Sequence, residues 1–166
     1  MKEFILDEMK AEDWPRVRQI YLDGLATGMA SFETDAPAWD EWDKSHLAHS
    51  RLVIRHGEEV AAWAALSPVS RRSCYSGVAE VSLYVAAAYR GRGLGKMLFQ
   101  GLIESSERNG VWSLFASIFP ENAASIHLHL SCGFTIIGRR ERIARRDGKW
   151  RDTVIAERRS GVVGVD

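Results

Sequence analysis

Arg90-Gly91-Arg92-Gly93-Leu94-Gly95 sets two guanidiniums among three glycines, between an alternating apolar run and a helical one. Residue types in that order do anion chemistry. The first N–H groups of a helix have no intrahelical acceptor and sit at its positive end, so they attract a phosphate. Glycine lets an oxygen approach those amides without meeting a Cβ, and Arg90 and Arg92 add charge-assisted contacts. The dinucleotide fingerprint G-x-G-x-x-G is not met, because the third glycine comes too soon. Lys96 is not followed by Ser or Thr, as a P-loop requires. The plain alternative is a tight strand-to-helix turn with incidental arginines.

Composition narrows what such a turn serves. Lys+Arg and Asp+Glu are equal at 22 each in 166 residues, so no overall field draws the chain to nucleic acid or an anionic membrane. The basic run Arg139 to Arg151 reads as a solvated strand face. Cys74 and Cys132 have no close spacing and no histidine arranged for zinc, so neither a disulfide nor a metal is expected. Cys74 also lacks a histidine to activate it, which disfavours a covalent cysteine route. Met1-Lys2-Glu3-Phe4 lacks the plan of a secretory leader, and the most apolar stretch, Val60 to Val69, is too short to cross a bilayer. A cytoplasmic protein is expected.

The elements that must position this turn follow from periodicity. A first strand spans Glu3 to Met9, and Asp13-Trp14-Pro15 opens a helix with Trp14, Val17, Ile20, Tyr21 and Leu25 as its buried stripe. A polar stretch from Gly24 to Thr34 reads as a binding loop, and a second helix from Pro37 carries Trp39, Trp42 and Leu47. Two strands flank His56 to Glu59, an irregular segment covers Pro68 to Gly77, and Val78 to Val85 alternates as a strand with a strongly apolar face. The Gly-rich turn starts a third helix that stops at Asn109-Gly110. A strand Trp112 to Ile118, a short helix Asn122 to Ser131, and a hairpin turning at Asp147-Gly148 complete the chain. The order β-α-α-β-β-β-α-β-α-β-β predicts an α/β (α+β) fold with a mixed sheet and helices on its faces. One domain over residues 1–166 is expected, with a frayed tail over 160–166.

The Arg90, Gly93 and Gly95 spacing after a strand and before a helix resembles the signature of the GNAT superfamily of N-acetyltransferases. Asn122-Ala123-Ala124-Ser125, Leu128 and Gly133-Phe134 resemble its downstream motif. Tyr21-Leu22-Asp23-Gly24, Ala30-Ser31-Phe32-Glu33-Thr34, Glu80-Val81-Ser82-Leu83-Tyr84-Val85, Ile118-Phe119-Pro120-Glu121-Asn122 and Gly148-Lys149-Trp150-Arg151-Asp152 look like the phosphinothricin acetyltransferase branch. That branch also acts on methionine sulfoximine and methionine sulfone. The resemblance implies a mostly antiparallel sheet splayed at its centre, acetyl-CoA as donor, a small-molecule amine or amino-acid acceptor, and a homodimer.

The resemblance also assigns residues. Leu83, Tyr84 and Val85 would end the splayed strand beside the pantetheine arm, with the free N–H of Leu83 or Val85 polarising the thioester carbonyl. Arg90, Gly91, Arg92, Gly93, Leu94, Gly95 and Lys96 would hold the pyrophosphate, and Asn122 and Ser131 would contact pantetheine. Glu80 is the candidate general base, because the attacking amine must be neutral; the alternative is a solvated or salt-bridged strand glutamate. His129 stands where many relatives have a tyrosine that protonates the leaving thiolate, although a helix histidine is commonly packed. Arg72, Ser73, Cys74 and Tyr75 match the loop before the catalytic strand, where Arg72 would grip the acceptor's carboxylate. The branch's proline is missing there, and Ser76 replaces a common arginine. Phe32 and Glu33 would line the same pocket, and Trp150 with Asp152 would reach the substrate or a second subunit. The expected reaction is direct acetyl transfer to the α-amino group of a small amino acid in a ternary complex. Rival acceptors are a protein N-terminus, a polyamine or an aminoglycoside. A non-catalytic acyl-CoA sensor is opposed by the intact Glu80 and glycine turn, and a nucleic-acid binder by the zero net charge.

Overall fold

The computed structural model describes residues 3–166; Met1 and Lys2, read above for a leader plan, lie outside the described residues. The chain forms β1 (Phe4–Glu8), α1 (Trp14–Ala26), α2 (Trp39–Ser45), β2 (Leu52–His56), β3 (Glu59–Pro68), β4 (Val78–Val85), α3 (Leu94–Arg108), β5 (Ser113–Ile118), α4 (Ala123–Ser131), β6 (Thr135–Arg146) and β7 (Lys149–Arg159). One seven-stranded sheet runs β1-β2-β3-β4-β5-β7-β6, antiparallel except at β4–β5. Short 3-10 turns precede α1 and sit at Ser73–Tyr75 and Ala87–Tyr89. The predicted element order therefore stands.

The apolar pattern sets the layers. Val60 to Leu66 is buried throughout, which makes β3 the covered middle of the first half-sheet. Its Ala62, Ala64 and Leu66 join Ala79 of β4 and Leu94, Leu98, Phe99 and Leu102 of α3 on one face. On the other face Trp63 and Ala65 meet Trp14, Val17 and Ile20 of α1 and Trp42 of α2. These two cores lock β1–β4 between helices.

Two expectations change. The second helix ends at Ser45, so Leu47 lies beyond it: His46 stacks on Trp42 at 4.0 Å, and the Leu47 N–H donates to Leu66 O instead of continuing the helix. The tail is tied down rather than frayed. The Arg159 guanidinium donates to the carbonyls of Trp112, Ser160, Val163 and Gly164, and the Ser160 hydroxyl donates to Glu107.

The α1–α2 loop, residues 27–38, is held by side chains far away in sequence. Arg146 donates to the carbonyls of Leu25, Ser31 and Glu33, and Arg151 donates to Gly28 O. Asn122 Nδ2 donates to Met29 O at 3.0 Å, and Phe32 packs edge-on to Phe119 at 4.9 Å. The basic run is thus only partly a solvated face: Arg146 is buried, and Arg151 lies over the Phe119 ring. A loop carbonyl taken from water needs a donor, and these arginines supply it.

Replacing Arg146 by Met keeps the stem but orphans three carbonyls. We expect Arg146→Met to lose about 2–4 kcal/mol in urea unfolding, the scale of charge-assisted bonds to buried acceptors. A loss below ~0.5 kcal/mol would show that the loop does not depend on this side chain.

Candidate active site

β4 and β5 pair only at Val78–Ser113, Ala79–Leu114 and Glu80–Phe115. Beyond Glu80 the strands part, while β4 stays paired to β3 as far as Val85 and β5 stays paired to β7 as far as Ile118. The Ala86 N–H donates to Ala61 O, so the even-numbered residues of β4 turn their polar groups to β3. The odd-numbered ones turn theirs the other way, as the bonds from Trp112 and Ser113 to Gly77 O confirm at the start of the pair. The N–H and C=O groups of Leu83 and Val85 therefore face the gap, where β5 offers no paired residue.

At the end of β4 the glycine turn leads into α3. Gly93 has φ 77° and Gly91 φ 72°, conformations that favour glycine, and a Cβ at either position would meet no protein atom within 4 Å. The Met97 N–H is the first to bond back, to Gly93 O at 3.1 Å, which leaves the N–H groups of Leu94, Gly95 and Lys96 unpaired within the helix. Arg90, Arg92 and Lys96 are exposed around them, Arg92 lying 5.9 Å over the Tyr89 ring. Gly95 packs against Leu128, where a Cβ would come within 2.8 Å, and so sets α3 against α4. An open αL turn, a 15-residue helix with a bare N-terminus and an unpaired strand edge together fit the diphosphate and amides of coenzyme A.

Glu80, Ser82 and Tyr84 point to the α1–α2 face, opposite the apolar Val81, Leu83 and Val85. Glu80 is half-buried; desolvation pushes its carboxyl above the ordinary range, and the Arg140 guanidinium opposes that in part. Tyr84 stacks on Trp63 at 5.2 Å and meets Tyr21 edge-on at 5.0 Å. Its ring lies where a Cβ on Gly24 would be, 2.5 Å away, so that glycine lets α1 close over β4. Burial drives the Tyr84 hydroxyl far up, helped by the nearby negative charges of Glu33 and Glu80. Phe32 is half-buried and Glu33 exposed beside these tyrosines.

The other expected residues are distributed as follows. Arg72, Ser73, Cys74 and Tyr75 form an exposed 3-10 turn before β4, with Arg72 5.4 Å over the Tyr75 ring. Asn122 caps α4 by accepting from the Ser125 N–H, and with its bond to Met29 O both ends of its amide are engaged. The Ser131 hydroxyl donates to Leu128 O. His129 is buried edge-on to Phe99 and Phe134, and its Nδ1 meets Ser125 O at 2.7 Å. Burial lowers its pKa, and the carbonyl bond only partly offsets this, so the imidazole is neutral and packed. Trp150 is exposed beneath Arg145, and Asp152 binds Arg139 and the Arg142 N–H.

Sequence reasoning missed Phe115, Thr153, Glu157 and Arg140. The sheet register puts Phe115 and Glu157 in line with Glu80, and Arg140 opposite Thr153, a residue 3% exposed whose hydroxyl is unpartnered. No motif marks them, because only pairing among the four strands β4, β5, β7 and β6 brings them to one face. Among the described residues no cluster of His, Cys, Asp and Glu could hold a metal ion, and no helix is long and apolar enough to cross a membrane.

The chain resembles known proteins in both sequence and fold. The sequence profile of the Acetyltransferase (GNAT) family matches residues 11–134. An L-methionine sulfoximine/L-methionine sulfone acetyltransferase of Pseudomonas aeruginosa is 37% identical over 147 residues, covering 84% of this chain and 85% of that one. A phosphinothricin N-acetyltransferase of Alcaligenes faecalis is 31% identical over 158 residues, covering 90% and 79%. The crystal structure of a GNAT superfamily phosphinothricin acetyltransferase from Sinorhizobium meliloti, in complex with acetyl-CoA, superposes with a TM-score of 0.87 at 25% identity, over 98% of this chain and 91% of that one.

The raised pKa of Glu80 has a thermodynamic signature. A carboxyl whose folded pKa lies above its unfolded value, near 4.5, stabilises the fold while protonated and loses that contribution as pH rises through the folded value. Urea unfolding of wild type and Glu80→Gln should therefore show the variant gaining relative stability between acid and neutral pH. A pH-independent difference between the two proteins would mean that Glu80 is as well solvated when folded as when unfolded.

Proposed function

This chain belongs to the GNAT acetyltransferase family, and we propose that it acetylates the α-amino group of a small amino acid or analogue of the methionine sulfoximine, methionine sulfone or phosphinothricin kind. Acetyl-CoA is the donor. The observation that carries the acceptor reading is Glu80, a half-buried carboxylate at the last paired residue before the β4–β5 gap.

The roles follow from chemistry. Glu80 takes a proton from the incoming amine; its raised pKa brings it closer to the proton it must remove. The N–H of Leu83 or Val85 donates to the acetyl carbonyl and stabilises the negative charge that develops on its oxygen. The N–H groups of Leu94, Gly95 and Lys96, with Arg90 and Arg92, hold the diphosphate. The amine attacks directly, since Cys74 is exposed on a surface turn and forms no acyl-enzyme. His129 is a packing residue in this reading, because its neutral ring is engaged with Ser125 O, and the thiolate leaves without it. Arg72 reads the acceptor's carboxylate, supported by its place on the turn before β4 and by its having no acidic partner among the described residues.

The same reading includes a homodimer in a reducing, cytoplasmic compartment. Dimerisation is supported by β6, a sheet-edge strand that exposes Ile136, Ile137 and Ile143; the compartment is supported by two free cysteines.

Glu80→Gln should lower kcat by roughly 10²–10⁴ with acetyl-CoA binding retained, and the deficit should shrink at high pH where more amine is already neutral. Near-wild-type kcat in steady-state assays of coenzyme A release would remove Glu80 from the mechanism. Gly93→Val adds a β-branched side chain at positive φ where the diphosphate must approach, so the KM for acetyl-CoA should rise at least about tenfold while the protein still folds. Unchanged acetyl-CoA affinity in folded Gly93→Val would contradict the assigned diphosphate site. For Arg72→Lys, the amino acid should lose about 1.5–3 kcal/mol in kcat/KM and its decarboxylated amine almost none. Equal losses for the two compounds would mean that Arg72 does not read a carboxylate.

A further inference from the structure

We propose that the cleft beside Glu80 receives the acceptor's side chain, and that the Glu157 carboxylate in its wall makes the enzyme select uncharged over anionic side chains. The inference rests on the amino-acid reading above and refines it.

Strand register puts the cleft on the face of the proposed base. Glu80 lies opposite Phe115 and Phe115 opposite Glu157, while Val78 lies opposite Ser113 and Ser113 opposite Arg159. Side chains alternate along a strand, so these residues make two neighbouring rows on one face, about 7 Å apart. Val78, Ser113, Glu157 and Arg159 line a single cleft of about 530 Å³. That volume is ample for an amino-acid side chain, and the spacing is the reach of four or five atoms from an α-carbon whose amine sits at Glu80. Tyr75 borders the open cleft from the turn before β4, and Trp112 from the start of β5. Trp112 is held from two sides. Its ring occupies the place where a Cβ on Gly77 would be, 2.0 Å away, and on the tail side a Cβ on Gly164 would come within 3.6 Å of its own Cβ.

The charges of the lining are unequal in availability. Arg159 spends its guanidinium on four tail and strand carbonyls. Glu157 is exposed and has no ion-pair partner among the described residues. Arg72, over Tyr75, is assigned to the α-carboxylate. A side chain entering here meets apolar surfaces, the polar groups of Ser70, Cys74 and Ser113, and the unpaired Glu157 charge. The Arg159 charge is held against backbone carbonyls, so a second anion beside Glu157 is opposed.

Methionine sulfone and phosphinothricin isolate that charge. Both side chains end in a tetrahedral head bearing a methyl and two oxygens, but only the phosphinate is negative at neutral pH. The test is kcat/KM for both in the full-length wild type, Glu157→Gln and Glu157→Lys. Wild type should favour the sulfone about tenfold or more. Glu157→Gln should shrink that ratio at least about fivefold, and Glu157→Lys should shrink it further or invert it. Ratios that stay equal in wild type and both variants overturn the inference while leaving the amino-acid reading in place. Turnover of neither compound, with coenzyme A released by another amine, overturns that reading and the inference with it.

Discussion

The parting of β4 from β5 after Glu80 and Phe115 is the constraint on which the rest of the molecule depends. β1–β4 and β7–β6 with β5 are two antiparallel half-sheets, each paired along its own strands and each twisting in its own right. Only a three-residue parallel seam joins them, and a parallel seam has no hairpin to hold its far end closed. The opening leaves the polar groups of Leu83 and Val85 without strand partners. Backbone groups removed from water must find partners, and the pantetheine amides of acetyl-CoA supply them in the proposed complex. The seam also places the proposed base, because Glu80 is its last residue and lies on the face opposite α3.

An open seam needs support from elsewhere, and arginine supplies most of it. Arg146, Arg151 and Arg159 each donate to backbone carbonyls rather than resting on acidic partners alone. A planar fork with five donors can satisfy several carbonyls at once, which no other side chain does. Arg146 and Arg151 bind the α1–α2 loop, and Arg159 ties the tail to the Trp112 carbonyl. The C-terminal hairpin thereby fixes the α1–α2 loop. Strand register leaves the charged groups Glu80, Arg140 and Glu157 on one face of the sheet.

How much was legible in the chain differs by element. The alternation of Val78 to Val85, the glycine turn and the stripe of Leu94, Leu98 and Leu102 are local periodic signals, and each appears in the fold where periodicity placed it. The second helix was read too long because Leu47 fits a helical stripe; the stacking of His46 on Trp42 and the Leu47 bond to β3 outweigh that propensity. The tail looked free because Gly161 and Gly164 carry no apolar anchor, whereas its anchor is a guanidinium.

By itself, then, the sequence determined the order of elements, the glycine turn before α3 and the family, because these depend on spacings of a few residues that backbone geometry translates directly. Tertiary structure alone decided which charges share a face. The alignment of Glu80 with Glu157, the opposition of Arg140 and Thr153, and the burial of Arg146 come from the register of strands separated by dozens of residues. It also decided the state of His129, whose position in a helix was plain but whose surroundings of Phe99 and Phe134 were not. A one-residue shift in strand pairing would send every one of those side chains to the opposite face, and no local pattern in the chain encodes that choice.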